Sequence, residues 1–265
     1  MSAQSERPRI VLILGSGPDV LRARAFRRGV FTSIVAINNA WAVRDDWDYL
    51  IHPDDFPADR RPPSHDPKRQ TIITSDNYVP VQNRFGGFVY AGATMAFTAG
   101  YWALGELQPD ILAFLGCDMN YDAKSAKTHF YGKGTADPLR NDVTLQSLEA
   151  KSARLMLLAA MENCRCVNLS EQTASRQVFP QIGVRELSNQ TPREHSSALK
   201  SDLDYYDFQA ISAAKQREGK LGYFVPSGRY WQEAKKFDAA ALRGIDDMWL
   251  EAAGLAPPVK CTRWG

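Results

Sequence analysis

The stretch most suited to chemistry is a glycine-containing turn directly after a short apolar run. Its residues are Gly15, Ser16, Gly17 and Pro18, followed by Asp19. Glycine lets the backbone turn tightly and approach a ligand closely, and the N–H groups that open a following helix favour an anion. The pattern predicts a phosphate-binding turn, with a purely steric turn as the alternative.

Two common phosphate-binding motifs do not fit this turn. The dinucleotide fingerprint needs a third glycine where Val20 stands, and an acidic residue about twenty positions on, where Asn38 and Asn39 stand. The P-loop motif needs Gly-Lys-Ser/Thr after the turn, and that sequence is absent there. An NAD enzyme and a P-loop NTPase are therefore disfavoured.

Polar side chains follow the next two apolar runs. Asn38 and Asn39 end the second run, and their amides are able to donate to and accept from a base or a ribose. Alternatively, Asn39 caps a helix that begins at the next residue. His52 ends the third run, where it is placed to contact a substrate. Asp54 and Asp55 follow it, either as ligands of Mg²⁺ or as part of a plain turn.

A long insertion, residues 118–141, begins with Asp118 after another apolar run. It is too long for an ordinary connection and is typical of a lid. His129 is its one histidine, and an imidazole is a natural proton acceptor near neutral pH. Groups suited to a phosphate leaving group accompany it, namely Tyr121, Tyr131 and Lys133. The alternatives are a solvated basic loop and a structural histidine.

A further candidate lies at the beginning of a helical stretch rich in small residues. Ala91 and Gly92 precede the predicted helix 93–107. Small residues let a helix press closely against a sheet, and the N–H groups at its beginning are also able to face a ligand. Both interpretations stay open for this position.

These groups need a framework, and the apolar runs indicate one. Runs that predict strands alternate with patterns that predict helices. The predicted strands are 10–14, 33–37, 49–51, 71–74, 111–115 and 166–169, and the predicted helices are 19–28, 93–107 and 143–163. The alternation predicts an α/β protein with a Rossmann-like, mainly parallel sheet and helices on both faces. Ligands then bind at the carboxyl ends of the strands.

The chain divides into two predicted regions. Residues 1–170 carry the alternating pattern and form the predicted nucleotide-binding domain, including the lid insertion. Residues 171–265 form a predicted helical extension packed on that domain, with helical stretches at 202–218 and 230–250.

Composition excludes several classes of protein. A net charge of +2 over 265 residues does not indicate a nucleic-acid partner. Residues 1–9 are polar, and no run approaches the ~20 apolar residues of a membrane span. We therefore predict a cytoplasmic protein with no transmembrane segment, while peripheral membrane contact and a homo-oligomer stay open. The four cysteines fit free thiols better than a disulfide framework.

In their order and spacing, these motifs resemble those of bacterial lipooligosaccharide sialyltransferases and the related superfamily that includes archaeal 6-hydroxymethylpterin pyrophosphokinase-like proteins. The likeness covers about residues 10–170. Its parts in this chain are Gly15-Ser-Gly17-Pro18-Asp19, Asn38-Asn39, His52-Pro53, Ala91-Gly92, Gly116-Cys-Asp118 and His129-Phe-Tyr-Gly132. The resemblance implies a single Rossmann-like domain with a small lid that uses CMP-sialic acid without a metal.

The resemblance also implies roles for residues. Gly15, Gly17 and Pro18 would lie against the nucleotide phosphate and ribose. Asn38 or Asn39 would lie near the cytidine and the donor sugar, and Ala91-Gly92 beside the base. Tyr121 and Tyr131 are the candidates for holding the departing phosphate. The full expected nucleotide-binding set is Gly15, Ser16, Gly17, Pro18, Asn38, Asn39, His52, Ala91, Gly92 and Asp118.

Two departures from the family pattern leave three functions open. Lys133 stands where the family has its catalytic histidine, so either His129 is the base or the chain does not transfer sialic acid. The leading hypothesis is sugar transfer from a CMP-activated donor to a carbohydrate acceptor hydroxyl, with His129 as base. Asp54 and Asp55 instead suit a Mg²⁺-dependent pyrophosphoryl transferase. A non-catalytic nucleotide-binding protein is the third possibility.

Overall fold

The computed structural model describes residues 7–120, 128–132, 142–172 and 174–255. Within them lies a six-stranded, all-parallel sheet, as the alternating pattern predicts. Its strands are β1 (Ile10–Leu14), β2 (Ser33–Ile37), β3 (Tyr49–Ile51), β4 (Thr71–Ile73), β5 (Ile111–Leu115) and β6 (Arg165–Asn168). The predicted strands are confirmed to within one residue at each end, because fully buried parallel strands read as continuous apolar runs.

The strand order creates a switch point between β1 and β5. The order is β4-β3-β2-β1-β5-β6, so the chain steps outward from β1 to β4 and then returns to the other side of β1. Leu14 pairs in register with Ala36 of β2 and with Leu115 of β5. In open parallel sheets the loops separate at such a point, and a crevice forms at the carboxyl ends of the two strands.

One face of the sheet is covered by α-helices. They are α1 (Ser75–Arg84), α2 (Phe88–Ala91), α3 (Met95–Leu107) and α4 (Leu148–Met161). The predicted helix 93–107 begins at Met95 instead, because Thr94 is its N-cap and accepts from the N–H of Phe97. The predicted helix 143–163 divides into a 3-10 turn, Val143–Leu145, and α4, whose N-cap is Ser147.

The opposite face carries 3-10 helices. The predicted helix 19–28 is present as a 3-10 helix over Pro18–Ala25. Its buried side chains are Val20 and Ala23, and Phe26 continues the same spacing. A repeat of three residues is the period of a 3-10 helix, so these side chains lie on one face.

Four α-helices follow the sheet within the described residues. They are α5 (Val184–Asn189), α6 (Pro192–Tyr205), α7 (Phe208–Leu221) and α8 (Ala239–Ala252). The predicted helix 202–218 is divided by Asp207, whose carboxylate accepts from the N–H groups of Gln209 and Ala210 and so begins a new helix. The predicted helix 230–250 begins with two 3-10 turns, Tyr230–Gln232 and Ala234–Lys236, and is α-helical only from Ala239, after the N-cap Asp238.

Two buried ion pairs attach these later helices to α4. Lys151 donates to Asp246 of α8 at 2.7 Å, and both side chains are almost fully buried. One turn further along, Arg154 donates to both carboxylate oxygens of Glu218 of α7 at 2.8 Å. Burial raises the pKa of Asp246, and the ammonium of Lys151 opposes that shift. The helical extension thus shares its core with the sheet domain.

Three of the four cysteines lie within the described residues. Cys117, Cys164 and Cys166 are buried and free, in agreement with the prediction for these three positions, and burial raises the pKa of each thiol. Cys261 lies outside the described residues.

In the described ranges, every helix is too short or too polar to cross a membrane.

Candidate functional site

The glycine turn after β1 packs directly on the end of β5. The N–H of Gly15 donates to the carbonyl of Leu115 at 2.9 Å, and the N–H of Gly17 donates to that of Gly116 at 2.8 Å. A Cβ at position 15 would overlap the Gly116 carbonyl oxygen, and one at position 17 would lie 2.9 Å from it. Close packing against Gly116 therefore explains why both positions are glycine. Because Pro18 has no N–H, only Ser16 and Asp19 are left to offer main-chain donors to an anion.

This packing predicts the effect of a single added methyl group. We expect Gly15→Ala to lower the free energy of unfolding by about 1–3 kcal/mol, because the methyl group meets backbone that cannot rotate away. Gly29→Ala is the matched control, since a Cβ at that position meets nothing within 4 Å. Urea unfolding of both variants measures the difference. Equal stability of Gly15→Ala and the wild type would contradict the close approach of the two loops.

A turn that contains His129 sits on the same glycine turn. The N–H of Phe130 donates to the carbonyl of Ser16 at 2.9 Å. His129 and Gly132 exchange two main-chain hydrogen bonds of 3.0 Å, which close the turn. The structure thereby brings a residue of the predicted lid to the end of β1, next to the switch point.

His129 is buried and has a defined environment. Its side chain is 3 % exposed, and Nδ1 lies 2.8 Å from the hydroxyl of Thr128. The ring of Tyr131 stacks on it with centroids 5.0 Å apart, while Tyr131 itself is 44 % exposed. Burial lowers the pKa of His129, which favours the neutral imidazole that a general base requires. Tyr121 and Lys133 lie outside the described residues, so their roles stay predictions.

Asn38 lies in a backbone conformation that few residues adopt. Its φ is +51°, in the left-handed region, where asparagine is tolerated better than most side chains. Its Oδ1 atom is buried and has no hydrogen-bond partner among the described residues. The alternative prediction, that Asn39 caps a helix, is wrong. The 3-10 helix over Asn38–Val43 has Ile37 as its N-cap and no side-chain cap. A left-handed backbone together with an unpaired buried acceptor makes Asn38 a candidate binding position.

His52 follows β3 beside Asn38. Ile37 and Ile51 pair in register, so the residues that follow them leave the sheet at adjacent positions. Nδ1 of His52 lies 2.8 Å from the carbonyl oxygen of Pro53 and must donate to it, which leaves Nε2 as an acceptor in the neutral ring. Nε2 is buried and also lacks a partner in the described structure. Two neighbouring strand ends thus each carry an unpaired buried acceptor.

The two carboxylates that follow His52 lie at the protein surface. Asp54 and Asp55 are both exposed, and Asp54 accepts from the hydroxyl of Ser75 at the beginning of α1. The described residues contain no group of three or more His, Cys, Asp or Glu side chains placed to hold a metal ion. Asp54 therefore tethers α1 to the loop, as the turn interpretation allows.

Ala91 and Gly92 are placed by packing. Ala91 is buried, and Gly92 has a φ of +79°. A Cβ on Gly92 would lie 2.7 Å from Cγ of Lys151 on α4. The next N–H, that of Ala93, donates to the hydroxyl of Thr144 at 3.3 Å. Position 92 is thus glycine because α4 approaches it too closely for a larger side chain.

Asp118 belongs to a polar cluster at the ends of β5 and β6. Its carboxylate is buried and accepts from the side-chain amide of Asn168 at 3.2 Å. The same Asn168 amide donates to Ser175, and the main chain of Arg176 donates to the Asp118 carbonyl. Asn168, Ser175 and the adjacent Gln177 were not predicted from the sequence. They follow no motif. The parallel pairing of β5 with β6 brings Asn168 to Asp118, and Ser175 and Gln177 flank Arg176, whose N–H donates to the Asp118 carbonyl.

The predicted residues thus divide into groups along one edge of the sheet. The turn of Gly15, Ser16, Gly17 and Pro18, the His129 turn and Asp118 meet where β1 and β5 end. Asn38 and His52 lie one and two strands away, at the ends of β2 and β3. Two pockets of about 630 and 510 Å³ occur elsewhere and are lined by none of these residues.

Comparison of the chain with protein-family models, with curated proteins and with solved structures finds no match in any of the three. The fold and the geometry of this edge are therefore the basis for a proposal about function.

Proposed function

We propose that the protein is a glycosyltransferase-like enzyme that transfers a sugar from a CMP-activated donor to a hydroxyl of a carbohydrate acceptor. The observation that carries the proposal is the hydrogen bond from Phe130 to Ser16, because it seats the His129 turn on the glycine turn at the switch point. A proton acceptor and a candidate phosphate-binding turn thereby share one strand end, which sugar transfer from a nucleotide requires.

In the proposed reaction, the acceptor hydroxyl oxygen bonds to the anomeric carbon of the donor sugar. His129 takes the hydroxyl proton, and the bond from the sugar to the phosphate oxygen breaks with its electron pair on the departing CMP. In the proposed tautomer Nδ1 carries the hydrogen of the neutral ring and donates it to the hydroxyl of Thr128, so Nε2 is the nitrogen that takes the acceptor proton. Tyr131, together with Tyr121 and Lys133, would neutralise the charge that develops on the phosphate.

The remaining candidates would hold the donor. The N–H groups of Ser16 and Asp19 are the main-chain donors placed for the phosphate. The unpaired acceptors Asn38 Oδ1 and His52 Nε2 suit hydroxyl groups of the ribose or the sugar, because each needs a donor that the described structure does not supply. Hydroxyl groups of a bound ligand would donate to both acceptors, so that neither would remain unpaired.

A nucleotide screen tests the proposal. We expect thermal unfolding to shift upward with CMP, and less or not at all with CDP, UDP, GDP or ATP, because binding to the native state raises its stability. Each nucleotide is measured with and without Mg²⁺, and release of CMP from a CMP-sugar is followed in parallel. A response only to ATP with Mg²⁺, lost with a chelator, would favour a pyrophosphoryl transferase. CMP binding without turnover would favour a non-catalytic binding protein.

A further inference from the structure

Gln177 carries a buried side-chain amide without a hydrogen bond. The residue is 5 % exposed, and both Oε1 and Nε2 are buried without a partner in the described structure. Among the described residues it is the one side chain for which both polar atoms are in this state. Burying an amide unpaired costs free energy that an apolar side chain of similar size would not cost. A water molecule or a polar group of a ligand would supply the partner that the described fold lacks.

The backbone on both sides holds Gln177 in place. The N–H of Arg176 donates to the carbonyl of Asp118 at 2.9 Å, and the N–H of Val178 donates to the hydroxyl of Ser152 at 2.9 Å. The N–H of Gln177 itself donates to Ser175 at 3.2 Å. These bonds tie the backbone on both sides of Gln177 to the end of β5 and to α4.

The location connects this amide with the candidate site. Asp118 follows β5, the strand that pairs with β1 at the switch point, and the carbonyl of Asp118 is held by the residue next to Gln177. The cluster of Asp118, Asn168 and Ser175 surrounds the beginning of the segment. Gln177 thus belongs to the carboxyl edge of the sheet, on the side of β5 away from Asn38 and His52.

We propose that the Gln177 side-chain amide recognises the base of the bound nucleotide, and this identification of the ligand rests on the proposed function. A side-chain amide presents a donor and an acceptor in one plane, so it matches a base edge that has an acceptor beside a donor. The N3 and amino group of cytosine form such an edge. Because no protein group fixes either atom of the amide, it is able to turn over and match N3–H and O4 of uracil as well.

Replacing Gln177 with methionine separates a recognition role from a structural one. Gln177→Met keeps the length of the side chain and removes its hydrogen bonds. We expect the unliganded variant to unfold at or above the wild-type temperature, because an unpaired amide has been removed. By calorimetry, CMP and UMP should each bind about tenfold more weakly, the scale of one bidentate base contact. Ribose 5-phosphate, which has no base, should bind as it does to the wild type.

Gln181→Met is the matched control, since Gln181 is exposed and its amide already donates to the carbonyl of Gln172. It should leave both base-containing ligands unaffected. Undiminished CMP binding by Gln177→Met would overturn the inference and leave the proposed function standing. A fall of several degrees in the unfolding temperature of the unliganded variant would do the same. If the wild type binds none of the three probes, the proposed function and the inference both fail. Weakened CMP binding in a protein without transfer activity would support the inference and contradict the transferase.

Discussion

Replacing His129 with alanine should lower the turnover of a CMP-activated sugar by about 10²–10⁴-fold, the usual contribution of a general base. The imidazole lies at the end of β1 on the turn that Phe130 anchors to Ser16. Nucleotide affinity should stay close to the wild-type value, because the proposed role of His129 concerns the acceptor proton. Steady-state turnover and CMP titration on the same preparation measure the two quantities separately.

His65→Ala is the matched control, since His65 is an exposed histidine whose ring lies 6.4 Å from that of Trp47. It should leave turnover unchanged. Wild-type turnover by His129→Ala would remove the assignment of the base. Loss of CMP binding together with turnover would instead show that the histidine builds the nucleotide site.

The same assignment predicts the acid side of the pH profile. Burial lowers the pKa of His129 from its ordinary value of 6.5, so the neutral base is present at that pH and is lost only as the pH falls through the lowered pKa. We therefore expect the acid limb of the kcat/KM profile to have its midpoint below pH 6.5. A midpoint above pH 6.5 would assign the base to another group.

The largest expected effect on stability comes from Glu218. Its carboxylate accepts two bonds from Arg154 and one from the indole N–H of Trp249 at 2.7 Å, all in the buried region between α4, α7 and α8. Glu218→Ala leaves the Arg154 guanidinium buried without its counter-ion. We expect the free energy of unfolding to fall by about 3–5 kcal/mol, as when one partner of a buried ion pair is removed. Urea unfolding measures the change.

Two variants separate charge from packing in this prediction. Glu106→Ala removes the partner of Arg84 in an exposed pair, and it should cost no more than about 1 kcal/mol. Arg154→Met combined with Glu218→Leu removes both charges, and it should recover much of the stability that Glu218→Ala loses. If Glu218→Ala unfolds like the wild type, the pair does not hold the extension to α4.

The ion pairs also bear on the predicted boundary at residue 170. Lys151 and Arg154 belong to the sheet domain, while Asp246 and Glu218 belong to the helices that follow. A chain that ended at residue 170 would leave both cations without their partners. The two regions are distinct in pattern along the sequence, yet they share one hydrophobic core that includes Leu112, Ile211 and Trp249.

Much of the fold could be predicted because its information is local. Each strand of the sheet is an apolar run a few residues long, and burial on both faces makes such a run readable without its neighbours. The predicted helix at 19–28 is present as a 3-10 helix over Pro18–Ala25, a helix type that the apolar pattern did not specify. The helix limits at Met95 and Ala239 moved because of the capping residues Thr94 and Asp238.

The candidate site could be predicted only in part. Placing polar residues at strand ends identified Asn38, His52 and Asp118, since parallel strands share one carboxyl edge. The meaning of the glycine turn was not readable in the same way. A glycine that approaches a phosphate and one that approaches Gly116 look alike in sequence, and the contact partner lies 101 residues away. Gln177 and the ion pairs of α4 carried no signal of their own.

The amino-acid sequence by itself therefore determined the parallel α/β architecture and the edge of the sheet at which polar side chains collect. Only the tertiary structure decided which glycines are packed, which cations are paired and which acceptors are left without donors. Apolar periodicity is set within a few residues and survives in any context. Hydrogen bonding and close packing depend instead on partners as distant as Glu218 from Arg154, and these meet only when the chain has folded.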